Sequence, residues 1–162
     1  MTGSLVSAMI AYYRGDARRI SHFLKVYAFA KSIGECENLP RETQEVLEVA
    51  ALTHDIGIRA CEQTYGTCTG KQQELLGPPI AQQMLSSLGY PEPMIVRVCY
   101  LIGHHHTYTD IDGPDYQILV EADFLVNLHE EEADAAAVAS AREKIFKTQT
   151  GKAYLGALFP PR

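Results

Sequence analysis

Apolar side chains recur every three or four residues along most of the chain, and no segment alternates between apolar and polar residues. The three-to-four spacing is typical of α-helices with one buried face, whereas alternation would indicate half-buried strands. We therefore predict an all-α fold, a single-domain bundle of about six or seven helices over residues 1–162. A chain of 162 residues is long enough for one domain with a sizeable core.

Capping residues, Gly and Pro predict where these helices begin and end. The predicted helices span about 5–13, 17–36, 39–54, 72–88, 91–105, 116–131 and 134–147. The fourth is expected to be interrupted at Pro78-Pro79, because proline lacks the N–H that continues a helix. Residues 58–70 are predicted as loop or short helix, and the chain is expected to end in a tail.

The net charge indicates which kinds of partner the surface can bind. Twenty Asp and Glu against fourteen Lys and Arg give a net charge of −6. Nucleic-acid polymers and anionic membranes both require a basic surface, so we expect neither as a partner. No apolar run is long enough to span a bilayer. The oligomeric state stays open.

The cysteines and the N-terminal residues give information about the cellular location of the protein. Cys36, Cys61, Cys68 and Cys99 are scattered without a CxxC pair, so we predict free thiols, with a Cys61–Cys68 loop disulfide as the alternative. The apolar stretch Leu5–Tyr13 is followed, not preceded, by arginines, which is the wrong order for a secretory signal. A cytoplasmic location is the expectation.

Several ionisable side chains fall on the apolar faces of the predicted helices. An unpaired buried carboxylate costs several kcal/mol, and few basic residues on those faces are available to pair with it. A divalent cation would satisfy imidazoles and carboxylates together. The alternative is that the polar groups only pair with one another. The inward residues are His22, His54, His104, His105 and Asp123, with Asp55 directly after the third helix.

The order His22, then the adjacent pair His54-Asp55, then Asp123, each on its own helix, resembles the HD-domain superfamily of metal-dependent phosphohydrolases. The resemblance covers nearly the whole chain. The segments that carry it are Arg18–His22, Ala51–Gly57, Glu74–Gly77, Ile102–His105, Glu121–Asp123 and Phe146–Lys152.

The resemblance implies that His22, His54, Asp55 and Asp123 are the metal ligands. The implied cofactor is one divalent transition metal per chain (Fe, Mn, Zn, Ni or Co), with Mg as an alternative. Neutral imidazoles and carboxylates can hold such an ion and leave positions open for water and a phosphate oxygen. Asp55 is expected to face both the ion and the attacking water.

The run His104-His105-His106 is expected to act beside the ion. Consecutive helical residues fan out by about 100°, so the three cannot all bind one ion. We expect His104 and His105 to face the pocket as catalytic groups that hold the phosphate or protonate the leaving oxygen. His106 is expected to be exposed.

Two positions depart from the family pattern. Members with two metals usually carry a His where this chain has Gln73, which argues for a single metal. Many relatives carry a Lys where this chain has Ile58, with Arg59 next in sequence. The candidate substrate-binding residues are Arg18, Arg59 and Glu74, with Arg18 as the better phosphate ligand.

Two features of the sixth predicted helix complete the expectations. Asn127, one turn beyond Asp123, is expected to hold a water near the metal. The run Glu130–Glu132 is expected to be a solvated helix end.

The function that the resemblance implies is hydrolysis of a phosphate ester of a small phosphorylated molecule, a nucleotide being one option. The alternative is an inactive metal- or nucleotide-binding HD module.

Overall fold

The computed structural model describes residues 1–161, which contain nine α-helices and no strand. The all-α prediction is confirmed, but six or seven helices is too few, because short helices also form at 58–65 and 149–158. The single domain over 1–162 stays a prediction, of which Arg162 lies outside the described residues. The helices are α1 (Thr2–Tyr12), α2 (Ala17–Cys36), α3 (Arg41–Thr53), α4 (Ile58–Tyr65), α5 (Gly70–Ser87), α6 (Glu92–Ile102), α7 (Pro114–Glu130), α8 (Ala135–Lys144) and α9 (Gln149–Leu158).

Helix α5 runs through Pro78 and Pro79 without a break, so the predicted interruption is wrong. Proline has a helix-compatible φ, and packing against α6 outweighs the hydrogen bonds that the two prolines cannot make. At this contact Cys99 Sγ donates to the carbonyl of Pro78 over 3.4 Å. A Cβ on Gly77 would lie only 2.7 Å from Ile102 Cγ2, so the missing side chain lets the two helices approach.

The core forms where α2 packs against α3 and α7, and α3 packs against α6 and α7. Buried Leu, Ile, Val and Phe side chains of these helices make one continuous hydrophobic cluster. Helices α2 and α7 also carry His22 and Asp123, and His54 directly follows α3, so core packing sets the positions of these polar side chains. No helix in residues 1–161 has both the length and the apolar character needed to cross a membrane.

The turn that follows α3 is held from two sides. On one side Tyr12 Oη donates to the carbonyl of Ile56 over 3.1 Å, and Tyr13 Oη donates to that of Asp55 over 2.6 Å. On the other side a Cβ on Gly57 would lie 2.8 Å from the backbone N of Gly77. Helices α1 and α5 therefore fix the backbone that carries Asp55.

Two of the four cysteines form a disulfide, so the free-thiol prediction is wrong for them. Cys61 in α4 is bonded to Cys68 in the loop before α5, with 5.4 Å between their Cα atoms. Cys36 and Cys99 are free thiols, as predicted. The bond closes the loop from which α5 begins, next to the capping residue Thr69.

Candidate metal centre

Four side chains from three separate parts of the sequence meet at the centre of the bundle. The Nε2 atoms of His22 and His54 lie 3.2 Å apart. Asp55 Oδ2 lies 3.1 Å from His22 Nε2 and 3.2 Å from His54 Nε2. Asp123 Oδ1 lies 3.2 Å and 3.3 Å from the same two nitrogens. We call these four side chains the primary cluster.

The primary cluster fits a divalent cation. Ligand atoms about 2.0–2.2 Å from a metal lie about 2.8–3.1 Å apart at adjacent octahedral vertices and about 3.3–3.6 Å apart at tetrahedral ones. The distances above extend from the upper end of the first range to the lower end of the second. Asp123 Oδ1 is buried and has no hydrogen-bond partner among residues 1–161. A buried carboxylate oxygen without a donor is costly, and a cation bound between these four atoms would remove that cost.

The histidines of the primary cluster are held with Nε2 directed inward. His54 Nδ1 donates to the carbonyl of Ala51 over 2.7 Å, and His22 Nδ1 donates to Glu130 Oε1 over 2.6 Å. A neutral imidazole that donates through Nδ1 keeps a lone pair on Nε2. Both rings are therefore oriented as metal ligands.

The primary cluster also binds protons strongly when no cation is present. Burial disfavours charge on His22, but the adjacent carboxylates of Asp123 and Asp55 outweigh it and raise the pKa of His22 to about 10. Burial likewise opposes charge on His54, yet Asp55 and Asp123 raise its pKa well above the usual value. Burial would raise the pKa values of the two carboxyl groups, but the charge of His54 and the proximity of the other histidine nitrogens lower both. Protons and a metal ion thus compete for the same atoms.

The second oxygen of Asp55 faces a different histidine. Asp55 Oδ1 lies 3.4 Å from Nε2 of His105, which is buried and donates through Nδ1 to the carbonyl of Ile102. Asp55, His105 and His106 offer atoms within 4.8 Å of one another, a second group with metal-ligand chemistry. Asp55 therefore directs one oxygen to each of two sets of histidines, while its predicted contacts with an ion and an attacking water stay a prediction.

The structure reverses the expected roles of His104 and His106. His104 stacks on the ring of Tyr100, with 4.1 Å between centroids, and belongs to neither group of candidate ligands. His106 is half-buried beside His105 instead of exposed, and its Nε2 lies 2.8 Å from Gln73 Oε1. Burial and the charge of His105 lower the pKa of His106 to about 4.

Comparison with known protein families shows to which family this chain belongs. The sequence profile of the HD domain family matches residues 19–145, which include all four members of the primary cluster. This chain belongs to the HD domain family. His54 and Asp55 are the adjacent pair from which the family takes its name.

One solved structure supports the fold of this HD domain. It is a predicted HD superfamily hydrolase from an uncultured Thermotogales bacterium, 23% identical in sequence, with a TM-score of 0.69. The match covers 97% of this chain and 84% of that one. A comparison with curated proteins gives no match.

A cavity of about 410 Å³ opens onto the primary cluster of the HD domain. Its wall includes His22, Asp55, Asn127 and Arg18. The Arg18 guanidinium makes no ion pair within residues 1–161, whereas that of Arg19 is bound by Asp16 and Glu62. Arg18 is therefore the cation at this cavity that is available to an anion.

The structure places the other two predicted substrate-binding residues elsewhere. Arg59 points toward α1, where it donates to the carbonyl of Tyr12 and lines a separate cavity of about 450 Å³. Glu74 is buried, and its Oε2 accepts from Thr107 Oγ1 over 2.8 Å. Neither lines the cavity beside His22, and their substrate-binding roles stay predictions.

Sequence analysis missed one residue that contacts the primary cluster. Glu130 was expected in a solvated helix end, but its carboxylate accepts from His22 and only 14% of its side chain is exposed. A signal for this was present in the spacing. Residues 123, 127 and 130 fall at i, i+4 and i+7 and share one helix face, so Glu130 continues the inward face of Asp123.

Proposed function

We propose that this HD domain is a hydrolase that cleaves a phosphate ester of a small molecule, using one divalent transition metal held by His22, His54, Asp55 and Asp123. The observation that carries the proposal is the convergence of these four ligand atoms around the unpartnered Asp123 Oδ1. A bound divalent cation would supply a more acidic water and a polarised phosphoryl oxygen.

The remaining roles would fall to Asp55 and to side chains beside the primary cluster. Asp55 Oδ1 is turned toward His105 and would accept a proton from an attacking water. His105, 3.4 Å from that oxygen, would hold the phosphate or protonate the leaving oxygen. Arg18 at the cavity wall would pair with the phosphate group of the substrate.

One observation favours a second candidate, a metal- or nucleotide-binding module without turnover. Ile58 stands where many relatives carry a Lys, and the adjacent Arg59 is engaged with Tyr12. Arg59 therefore does not take the place of the Lys that many relatives carry at the position of Ile58. Arg18 would then be the one arginine or lysine of residues 1–161 left beside the metal to neutralise the phosphate.

The deciding experiment is a metal and substrate screen. The purified protein is stripped with a chelator and reloaded separately with Mn, Fe, Co, Ni, Zn and Mg. Each form is assayed against nucleotides, sugar phosphates and chromogenic phosphate mono- and diesters. We expect about one tightly bound metal per chain and turnover with at least one metal.

The matched variants are Asp123→Asn, which keeps the shape of a proposed ligand, and Glu132→Gln, which removes an exposed charge outside the cavity. Asp123→Asn should lose both metal and turnover, while Glu132→Gln should keep both. Bound metal without turnover on any ester would favour the binding module. A wild-type protein that takes up no metal would refute both the hydrolase and the metal-binding form of the second candidate.

A further inference from the structure

The structure assigns Glu130 as a positioning residue: its carboxylate holds the His22 ring in the orientation that directs Nε2 to the proposed metal. The inference rests on the metal centre of the proposed function. The Nδ1–H of His22 donates to Glu130 Oε1 over 2.6 Å, while Nε2 of the same ring lies 3.1–3.2 Å from the other three ligand atoms.

Three histidines have Nε2 within 3.4 Å of an Asp55 oxygen, and they are not held in the same way. His54 and His105 each donate through Nδ1 to a backbone carbonyl three residues earlier, in their own turns. His22 donates instead to a side chain 108 residues away in sequence. His22 is thus the one histidine of the primary cluster whose orientation a single side-chain substitution can release.

The location of Glu130 would be unfavourable without this contact. Glu130 is the last residue of α7, where the helix dipole disfavours a negative charge, and two further glutamates follow it. Its side chain nevertheless turns inward, where His22 donates to it and Lys25 Nζ lies 3.6 Å away. The His22 ring provides the closer and less exposed of these two partners.

A carboxylate bonded to the outer nitrogen of a histidine ligand fixes its tautomer and makes the inner nitrogen a better donor. Loss of such a partner typically weakens metal binding by about ten- to a hundredfold. Glu130→Ala should therefore weaken binding in this range. Glu130→Gln keeps an acceptor oxygen but not the charge, so it should restore part of the affinity.

The test measures metal binding, not turnover. The dissociation constants of Zn²⁺ and Co²⁺ are determined by competition with a chromophoric chelator for wild type, Glu130→Ala, Glu130→Gln and the control Glu132→Ala. Melting temperatures are recorded for metal-free and metal-loaded forms. We expect at least a tenfold weaker affinity in Glu130→Ala, an intermediate value in Glu130→Gln, and a value near wild type in Glu132→Ala.

The outcomes separate a positioning role from a structural one. Glu130→Ala with wild-type metal affinity would overturn the inference, including when its metal-free melting temperature is lowered. An equal loss in Glu132→Ala would also overturn it, because the effect would then be one of general charge. A wild-type protein that binds neither ion would refute the metal centre itself and the inference with it.

Discussion

Nε2 of His105 lies 3.4 Å from Oδ1 of Asp55, whereas the other oxygen of that carboxylate faces His22 and His54. The Asp55 side chain thus joins the proposed metal ligands to a histidine that is not among them. We therefore expect loss of His105 to affect turnover and loss of a proposed ligand to affect metal binding, so the two effects can be measured separately.

His105→Ala should lower phosphate-ester turnover at least tenfold, about 1.4 kcal/mol of barrier, while the metal is retained. The reason is that His105 contacts the Asp55 oxygen that faces away from the primary cluster. His104→Ala should stay close to wild type, because its ring stacks on Tyr100. Turnover and metal content are compared in both variants.

Two outcomes would contradict this prediction. Equal rates in the His104 and His105 variants would mean that neither ring acts on the substrate. Metal loss in His105→Ala would make His105 a ligand, and the group of Asp55, His105 and His106 would then hold a second cation.

Metal affinity should rise with pH. In the metal-free protein the pKa of His22 is raised to about 10 and that of His54 lies well above its usual value, so a metal must displace protons at neutral pH. Each displaced proton makes the affinity about tenfold stronger per pH unit. Proton release on binding, measured by titration in buffers of different ionisation enthalpy, checks this prediction.

The stability of the metal-free protein should change in the opposite direction. A pKa raised in the folded state stabilises the fold below the ordinary histidine pKa, and this contribution is lost as pH rises through about 10. The metal-induced rise in melting temperature should therefore increase from about pH 7 to 9. A rise independent of pH would show that protons and metal do not share these atoms.

The sequence predicts the helices of the primary cluster because its local signals agree with their tertiary packing. Helix α2 begins after Asp16, whose side chain accepts from the backbone N–H of Arg19, and it ends at Cys36. Buried His22, Val26 and Ile33 fall on its predicted inner face. The same agreement places Asp123 on the inner face of α7.

The histidine run shows where sequence analysis fails. The expected directions assume a helix to about residue 105, but α6 ends at Ile102 and the next four residues form turns. Helical spacing of 100° no longer applies there, so His104 and His106 exchange their expected positions. Tyr116 of α7 holds these turns, because its Oη donates to the carbonyl of His104 over 2.8 Å and to that of Thr107. Such contacts with a distant part of the chain are not visible in a local pattern.

The Cys61–Cys68 bond should contribute about 2–3 kcal/mol to the free energy of unfolding, the range for closing a short loop. Cys68→Ser should lose this contribution, and a reducing agent should destabilise wild type but not the variant. Cys36→Ser, which removes an exposed free thiol, serves as the control. Denaturant unfolding with and without reductant measures the difference. Four reactive thiols in the unreduced, denatured protein would show that the bond is not formed.

Gly57→Ala should lower the free energy of unfolding by about 1–3 kcal/mol, the usual cost of overpacking. The new Cβ would lie 2.8 Å from the backbone N of Gly77 and 3.0 Å from the carbonyl oxygen of Gln73, and backbone atoms cannot rotate away. The strain falls two residues after Asp55, so metal affinity should also drop. Gly3→Ala is the control, since its Cβ would meet nothing within 4 Å. Unfolding and metal titrations of both variants check this, and wild-type values for Gly57→Ala would show that α5 does not fix the turn that carries Asp55.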